Sequence, residues 1–219
     1  MPKTLRRPAA FNVRRVQRAR VGIALACSAL LGVSYGSAGQ PARADEPQTP
    51  GTEVVLVDLD DASQVQAWTT VNDPVMGGKS TSGVAFGDGG LVFSGDISLE
   101  NNGGFASARG PQDPEIGRRA TGAKSIRVHA VGDGKTYLLK VGTAGQPWSY
   151  IQRFPTEAGV QRSYELPIEG FQPAGQRLDP APGAPAMLDP STISQVSIYI
   201  LDKQQGPFAI AVSEIGATT

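Results

Sequence analysis

Cysteine is nearly absent. Cys27 is the only one, and it lies in an N-terminal stretch unlike the rest of the chain. Everything after it therefore lacks disulfides, thiol nucleophiles and thiolate metal ligands. About 175 residues can still hold a core without crosslinks. Histidine is as scarce, with His129 alone. Zinc is not expected in a chain with one histidine and no cysteine past its leader. A Ser-His-Asp hydrolase would have to use His129, and beyond the N-terminal stretch no G-x-S-x-G elbow occurs. His129 instead reads as a wet position on a strand. No apolar run reaches the ~20 residues that a membrane-crossing helix needs.

Acidic residues are missing from 1–44, which hold eight Lys and Arg residues: Lys3, Arg6, Arg7, Arg14, Arg15, Arg18, Arg20 and Arg43. Of the 20 basic and 20 acidic residues, 12 basic and all 20 acidic ones fall in 45–219, for a net charge of about −8 there. No basic cluster stands out in that sequence, which argues against nucleic acid, since phosphate binding relies on Lys and Arg. The apolar run Val21 to Tyr35 follows the arginines and precedes Ala42-Arg43-Ala44. Basic, apolar and small-residue regions in that order make a signal peptide, cleaved after Ala44. The chain is then periplasmic or extracellular. A mitochondrial transit peptide is the alternative, disfavoured by the apolar block. Arg14-Arg15 raises twin-arginine export, though the rest of that motif is absent. Arg18 and Arg20 crowd Cys27 and speak against lipid attachment there.

Residues 45–52 are polar with two prolines and read as a flexible linker. From 53 to 217 the pattern is all-β. Helical periodicity is almost absent, and Gly and Pro punctuate short β-branched runs. Strands are expected at Val54–Asp58, Gly83–Phe86, Leu91–Leu99 with a break near Gly95, Phe105–Ala108, Lys124–Val131, Thr136–Gly142, Ser149–Phe154, Gln161–Leu166, Gln195–Leu201 and Phe208–Ile215. Alternation in Ser125-Ile126-Arg127-Val128-His129-Ala130 and in Phe208-Ala209-Ile210-Ala211-Val212 implies one buried face and one wet face. About ten such strands predict a jelly-roll sandwich. The proline-rich stretch Gln172–Pro190 cannot join a central strand and reads as a surface loop.

Two segments dominate the rest: Asp73-Pro74-Val75-Met76-Gly77-Gly78-Lys79-Ser80, and Phe93 to Arg109, which contains Ser98-Leu99-Glu100-Asn101-Asn102-Gly103-Gly104-Phe105-Ala106-Ser107. Gly132-Asp133-Gly134-Lys135-Thr136-Tyr137 and Asp202-Lys203-Gln204-Gln205-Gly206-Pro207-Phe208 follow. Together they resemble the signature of the complex I intermediate-associated protein 30 family, over about Val54 to Ile215. The resemblance implies a galactose-binding-domain-like jelly roll and a non-enzymatic binding role. It points to a protein partner, in an assembly or chaperone-like task, or to a glycan, as in carbohydrate-binding modules. It implies no cofactor. Members in mitochondria act as assembly chaperones for complex I, and the leader here departs from that setting.

Read without the family, Asn72 and Asp73 before Pro74 suit a turn. Gly77, Gly78, Gly103 and Gly104 permit left-handed backbone or close approach. Two readings follow. In one, these residues hold the two loops to each other. In the other, Asn72, Asp73, Met76, Gly77, Gly78, Ser80, Glu100, Asn101, Asn102, Gly103, Gly104 and Phe105 form a polar cup for a sugar or a peptide backbone. Trp148 and Tyr150 share a strand face and are either core or a stacking platform. Trp68 is ambiguous in the same way. Asp58, Asp60, Asp61 and Glu214 carry the ligand type for calcium, but no EF-hand spacing. No motif supports Asp73 and Glu100 as a glycosidase pair. Gly132-Asp133-Gly134-Lys135-Thr136 ends like a phosphate loop but has His129 where its first glycine belongs, so a hairpin turn is expected. N-terminal sequencing of the protein from its native envelope should read Asp45 first; an intact Met1 would contradict a cleaved leader.

Overall fold

The computed structural model describes residues 51–219. The expected leader, its Ala42-Arg43-Ala44 site, Cys27 and most of the linker lie outside the described residues. Twelve strands and two short α-helices, besides four single 3-10 turns, are present among the described residues: β1 (Glu53–Asp58), α1 (Ala62–Gln66), β2 (Thr69–Asn72), β3 (Thr81–Gly87), β4 (Gly90–Ile97), β5 (Ala106–Arg109), α2 (Glu115–Ala120), β6 (Ser125–Val131), β7 (Thr136–Thr143), β8 (Ser149–Pro155), β9 (Gln161–Pro167), β10 (Gln172–Ala174), β11 (Ile193–Ile200) and β12 (Gly206–Thr218). They form two sheets with antiparallel pairing throughout. One has the order β3-β4-β12-β6-β9, with β1 added alongside β12; the other has the order β10-β8-β7-β11-β5-β2. The all-β sandwich read from the sequence is the fold observed.

Alternation builds the core. Ile126, Val128 and Ala130 of β6 are buried between half-exposed Arg127, His129 and Val131. They meet Leu139 and Val141 of β7 and Ile198 and Ile200 of β11 in one apolar cluster between the sheets. Along β12 the inward parity changes. Phe208, Ile210 and Val212 are buried on even positions, and Ile215 and Ala217 on odd ones. A register shift between Val212 and Glu214 absorbs the change, as a bulge does. It also sets Glu214 directly across from His129.

Four expectations need correcting. The break near Gly95 does not exist: β4 runs unbroken through it and pairs with β3. Glycine is there because the neighbouring backbone comes close, not because the strand ends. The two helices escape the sequence pattern because five or six residues are too few to show a 3.6-residue period. Asp61 caps α1 by accepting the Ser63 N–H at 2.8 Å. Strand β2 escapes it too, because four residues between Trp68 and Asp73 carry little pattern. Finally, the proline-rich stretch is not all loop. Gln172–Ala174 pairs with β8 at a sheet edge, where Pro173 costs no ladder bond.

A methyl group on Gly95 would lie 2.0 Å from the Thr81 carbonyl oxygen. Gly95→Ala should therefore destabilise the domain by about 2 kcal/mol, within the range for overpacking. Urea unfolding would show it as a lower midpoint with an unchanged slope.

Candidate functional site

The two glycine-flanked segments meet, and a single carboxylate joins them. Asp73 is 1% exposed. Its Oδ1 accepts the Ser80 N–H at 2.8 Å. Its Oδ2 accepts the Ser80 hydroxyl at 2.5 Å, the Gly104 N–H at 2.6 Å and the Phe105 N–H at 3.2 Å. Burial alone would raise this carboxyl. The Ser80 hydroxyl and the backbone N–H groups of Gly104, Ser80 and Phe105 outweigh it, and hold the carboxyl below the ordinary aspartate range. The glycines make room. A Cβ on Gly78 would sit 2.4 Å from Asp73 Oδ1, and one on Gly103 would sit 2.7 Å from Oδ2. Gly77 and Gly104 take positive φ, as do Asn101 and Asn102, a conformation asparagine tolerates.

Asn72, Ser80, Glu100 and Asn101 on these loops are also engaged. The Asn72 amide lies 2.6 Å from Ser82 Oγ. Asn101 Nδ2 donates to the Gly77 carbonyl at 3.1 Å. Glu100 forms an exposed ion pair with Lys79. Ser80 Oγ also accepts the Ser98 N–H at 3.0 Å. Asn102 is exposed on the rim. Met76 ends the single helical turn Asp73–Met76, and its side chain lies outside what is described. Two cavities among the described residues lie elsewhere, and these loops line neither of them. One, of about 330 Å³, lies beside Trp68, Ile116 and Arg119. Trp68 itself is core. The other, of about 260 Å³, is lined by Trp148, Tyr150, Gln146, Met187, Asp189 and Thr192. Tyr150 is buried and its hydroxyl donates to the Pro185 carbonyl at 2.9 Å. Trp148 is half-buried against the core.

The later motifs fix turns in the same manner. Asp133 accepts the Lys135 N–H at 3.0 Å and the Ala209 N–H at 2.9 Å, tying the β6–β7 turn to β12. Asp202 holds Arg153 through two bonds of 2.7 and 2.9 Å. Of the calcium candidates, Asp58 accepts the Asp60 N–H at 3.0 Å and raises the Asp60 carboxyl. Asp58 and Glu214 are register partners, as joining the first and last strands requires. His129 lies between Glu53 at 2.8 Å and Ser163 Oγ at 2.7 Å, and neither cavity opens on this group.

What sequence reading misses is the outward face of the β10–β2 sheet. Register places Ser107 and Arg109 of β5, Ser197 and Tyr199 of β11, and Leu138 and Lys140 of β7 side by side, outside the core cluster; Ser107, Ser197, Tyr199 and Leu138 are buried there, and Arg109 and Lys140 are half-buried. The Arg109 guanidinium lies 5.6 Å from the Tyr199 ring centre and the Lys140 ammonium 5.8 Å from it, both within cation–π range. Burial and the nearby Arg109 lower Lys140, with Asp179 opposing. Burial raises the Tyr199 hydroxyl, with Arg109 and Ser107 opposing. Ser107 Oγ donates to the Val71 carbonyl at 2.9 Å and accepts from Arg109 Nε at 3.2 Å. Arg153, two residues along β8 from the register partner of Lys140, shares this face. The sequence expectation of no basic cluster beyond the leader is thus corrected. Arg109 and Lys140 meet at Tyr199, and Arg153, paired with Asp202, shares the same face of an acidic domain. Their separation along the chain hides them, and only the Ser107–Arg109 alternation at the end of the second segment hints at it.

The family model described as Complex I intermediate-associated protein 30 matches residues 57–212, covering both loops and the Arg109–Tyr199–Lys140 strands. The chain belongs to the Complex I intermediate-associated protein 30 family. Among curated proteins, no sequence match was found. Solved structures show what its fold is similar to. A Family 11 carbohydrate-binding module of the cellulosomal cellulase Lic26A-Cel5E of Clostridium thermocellum aligns at 13% identity and a TM-score of 0.52, covering 78% of this chain and 97% of the module. A Family 11 module from Clostridium thermocellum in complex with a beta-1,3-1,4-mixed-linked tetrasaccharide aligns at 14% identity and a TM-score of 0.50, with 78% and 97% covered. At these identities the match concerns the fold. In this family member, the signature loops are a clasp around Asp73, and the clasp anchors β5, the strand that carries Ser107 and Arg109.

Asp73→Asn keeps the shape but turns an amide nitrogen toward backbone donors. It should cost about 3 kcal/mol, the range for a buried charged acceptor lost. The folded carboxyl lies below its unfolded value. Its contribution is therefore full above the unfolded value near pH 4 and is lost as pH falls through the folded one. Acid unfolding of the Asp73→Asn variant should lack that part of the pH dependence; an unchanged acid profile would contradict the clasp.

Proposed function

We propose that this chain is an exported, non-catalytic binding module that holds an acidic, hydroxyl-rich glycan on the outward face of the β10–β2 sheet. The observation that carries the reading is the pair Arg109 and Lys140 flanking Tyr199. Tyr199 is only 4% exposed, so its ring backs the half-buried Arg109 and Lys140, and it is these two cations that favour carboxylate or sulfate groups. The 45–219 region is acidic as a whole, so a basic face set in it attracts anions locally and repels them elsewhere. The fold shared with carbohydrate-binding modules supports a glycan as the ligand class. The leader supports export to the periplasm or beyond. The half-buried Trp148 beside the second cavity offers a further stacking surface for a bound chain.

A protein partner is the second reading, favoured by the family description itself. In that reading the same basic face meets an acidic segment of a protein undergoing assembly.

Affinity electrophoresis against uronic-acid polysaccharides and neutral glucans separates these. Retention by the acidic glycans is expected, weakened by salt. Arg109→Gln and Lys140→Met should each lower affinity about tenfold, the scale of one charge-assisted hydrogen bond. Retention on neutral glucans alone would overturn the charge argument. Absence of all glycan retention, with a crosslinked protein recovered through Arg109 and Lys140, would favour the second reading.

A further inference from the structure

On the other sheet, three adjacent strands bring Glu53 of β1, Glu214 of β12 and His129 of β6 together. One ligand-type atom from each lies within 4.8 Å of the others. His129 Nε2 is 2.8 Å from Glu53 Oε1 and 3.9 Å from Glu214 Oε1. In a tetrahedral zinc site, ligand atoms about 2.1 Å from the metal lie about 3.4 Å apart. The two observed separations bracket that value. We propose that Glu53, His129 and Glu214 form a binding site for a zinc-type divalent transition-metal ion.

Four features support the site. The β12 bulge places Glu214 opposite His129 on the outer face. Gly216, two residues along the strand, has no side chain there. A Cβ on it would stand 3.1 Å from Glu53 Oε1 and 3.2 Å from Glu214 Oε1, so both carboxylates lean over the space it leaves. Ser163 Oγ, from the neighbouring β9, lies 2.7 Å from His129 Nδ1. Without an ion, Nε2–H donates to Glu53 Oε1; an ion would displace that proton, and Nδ1–H would then donate to Ser163, as outer partners do for metal-bound imidazoles. The donor set also selects the metal. One imidazole with two carboxylates suits zinc and its neighbours, whereas calcium takes six to eight oxygens.

Arg127 sets the limit on affinity. It lies 3.2 Å from Glu53 Oε2 and 3.6 Å from Glu165 Oε2. Glu53 can keep this partner and offer Oε1 to the ion, but the nearby cation weakens the site. Because the ion would cross-link the first and last strands to β6, binding would stabilise the fold by linkage.

His129 is the single histidine in the chain, so its imidazole resonances report on this site alone. Untagged full-length protein, stripped with a chelator, would be titrated with zinc while the 15N-labelled imidazole is followed by NMR. A saturable shift at Nε2 with one equivalent and a raised melting temperature are expected, with calcium producing neither. Glu214→Gln should weaken zinc binding at least tenfold, and Ser163→Ala about tenfold, the usual effect of losing an outer partner. No movement of the His129 resonances with zinc, cobalt or nickel would overturn the proposal, and this measurement needs no variant. Unchanged affinity in a folded Glu214→Gln protein would overturn it too, as would a response to calcium alone.

Discussion

The buried carboxylate of Asp73 is the interaction on which the architecture around the signature depends. A charge taken out of water is costly unless every lone pair finds a donor. Here four donors from three residues meet it, two from Ser80 and one each from Gly104 and Phe105. That requirement dictates its surroundings. The chain must turn tightly after Pro74 so that Ser80 returns to the carboxylate. Gly78 and Gly103 must lack side chains because the carboxylate occupies their space. Backbone N–H groups must point inward at Gly104 and Phe105. The signature is therefore the sequence image of one solvated charge moved into a protein.

The clasp does more than close a loop. Asp73 follows β2 directly, and Phe105 leads into β5, so the same bonds set the register of these two strands. That register brings Ser107 and Arg109 outward beside Tyr199. The candidate binding residues on the β10–β2 sheet thus inherit their placement from a buried group that touches no ligand. A loop whose composition suits recognition serves first to position a strand.

The two outer faces of the sandwich differ in charge. The β10–β2 sheet displays Arg109, Lys140 and Arg153, the last held by Asp202. The other sheet gathers Glu53, Glu165 and Glu214 around Arg127 and His129. In a sandwich the inner faces are committed to the core, so chemistry has only the outer faces and the loop ends.

Sequence alone determined the class of fold. Alternation in β6 and β12, dense Gly and Pro punctuation and the absence of a helical period are local properties, and local backbone preference follows from them directly. It also marked the two segments that meet, because residues with special backbone demands announce themselves by type. It did not separate clasp from binding cup, since Asp, Asn, Ser and Gly serve either purpose. Burial makes that distinction, and burial is a property of the whole packed chain. Nor did it reveal the cations around Tyr199, or Glu53 beside His129 and Glu214. Arg109, Lys140 and Tyr199 lie on strands far apart in sequence, and only antiparallel register, fixed by the closing of both sheets over one core, makes them neighbours.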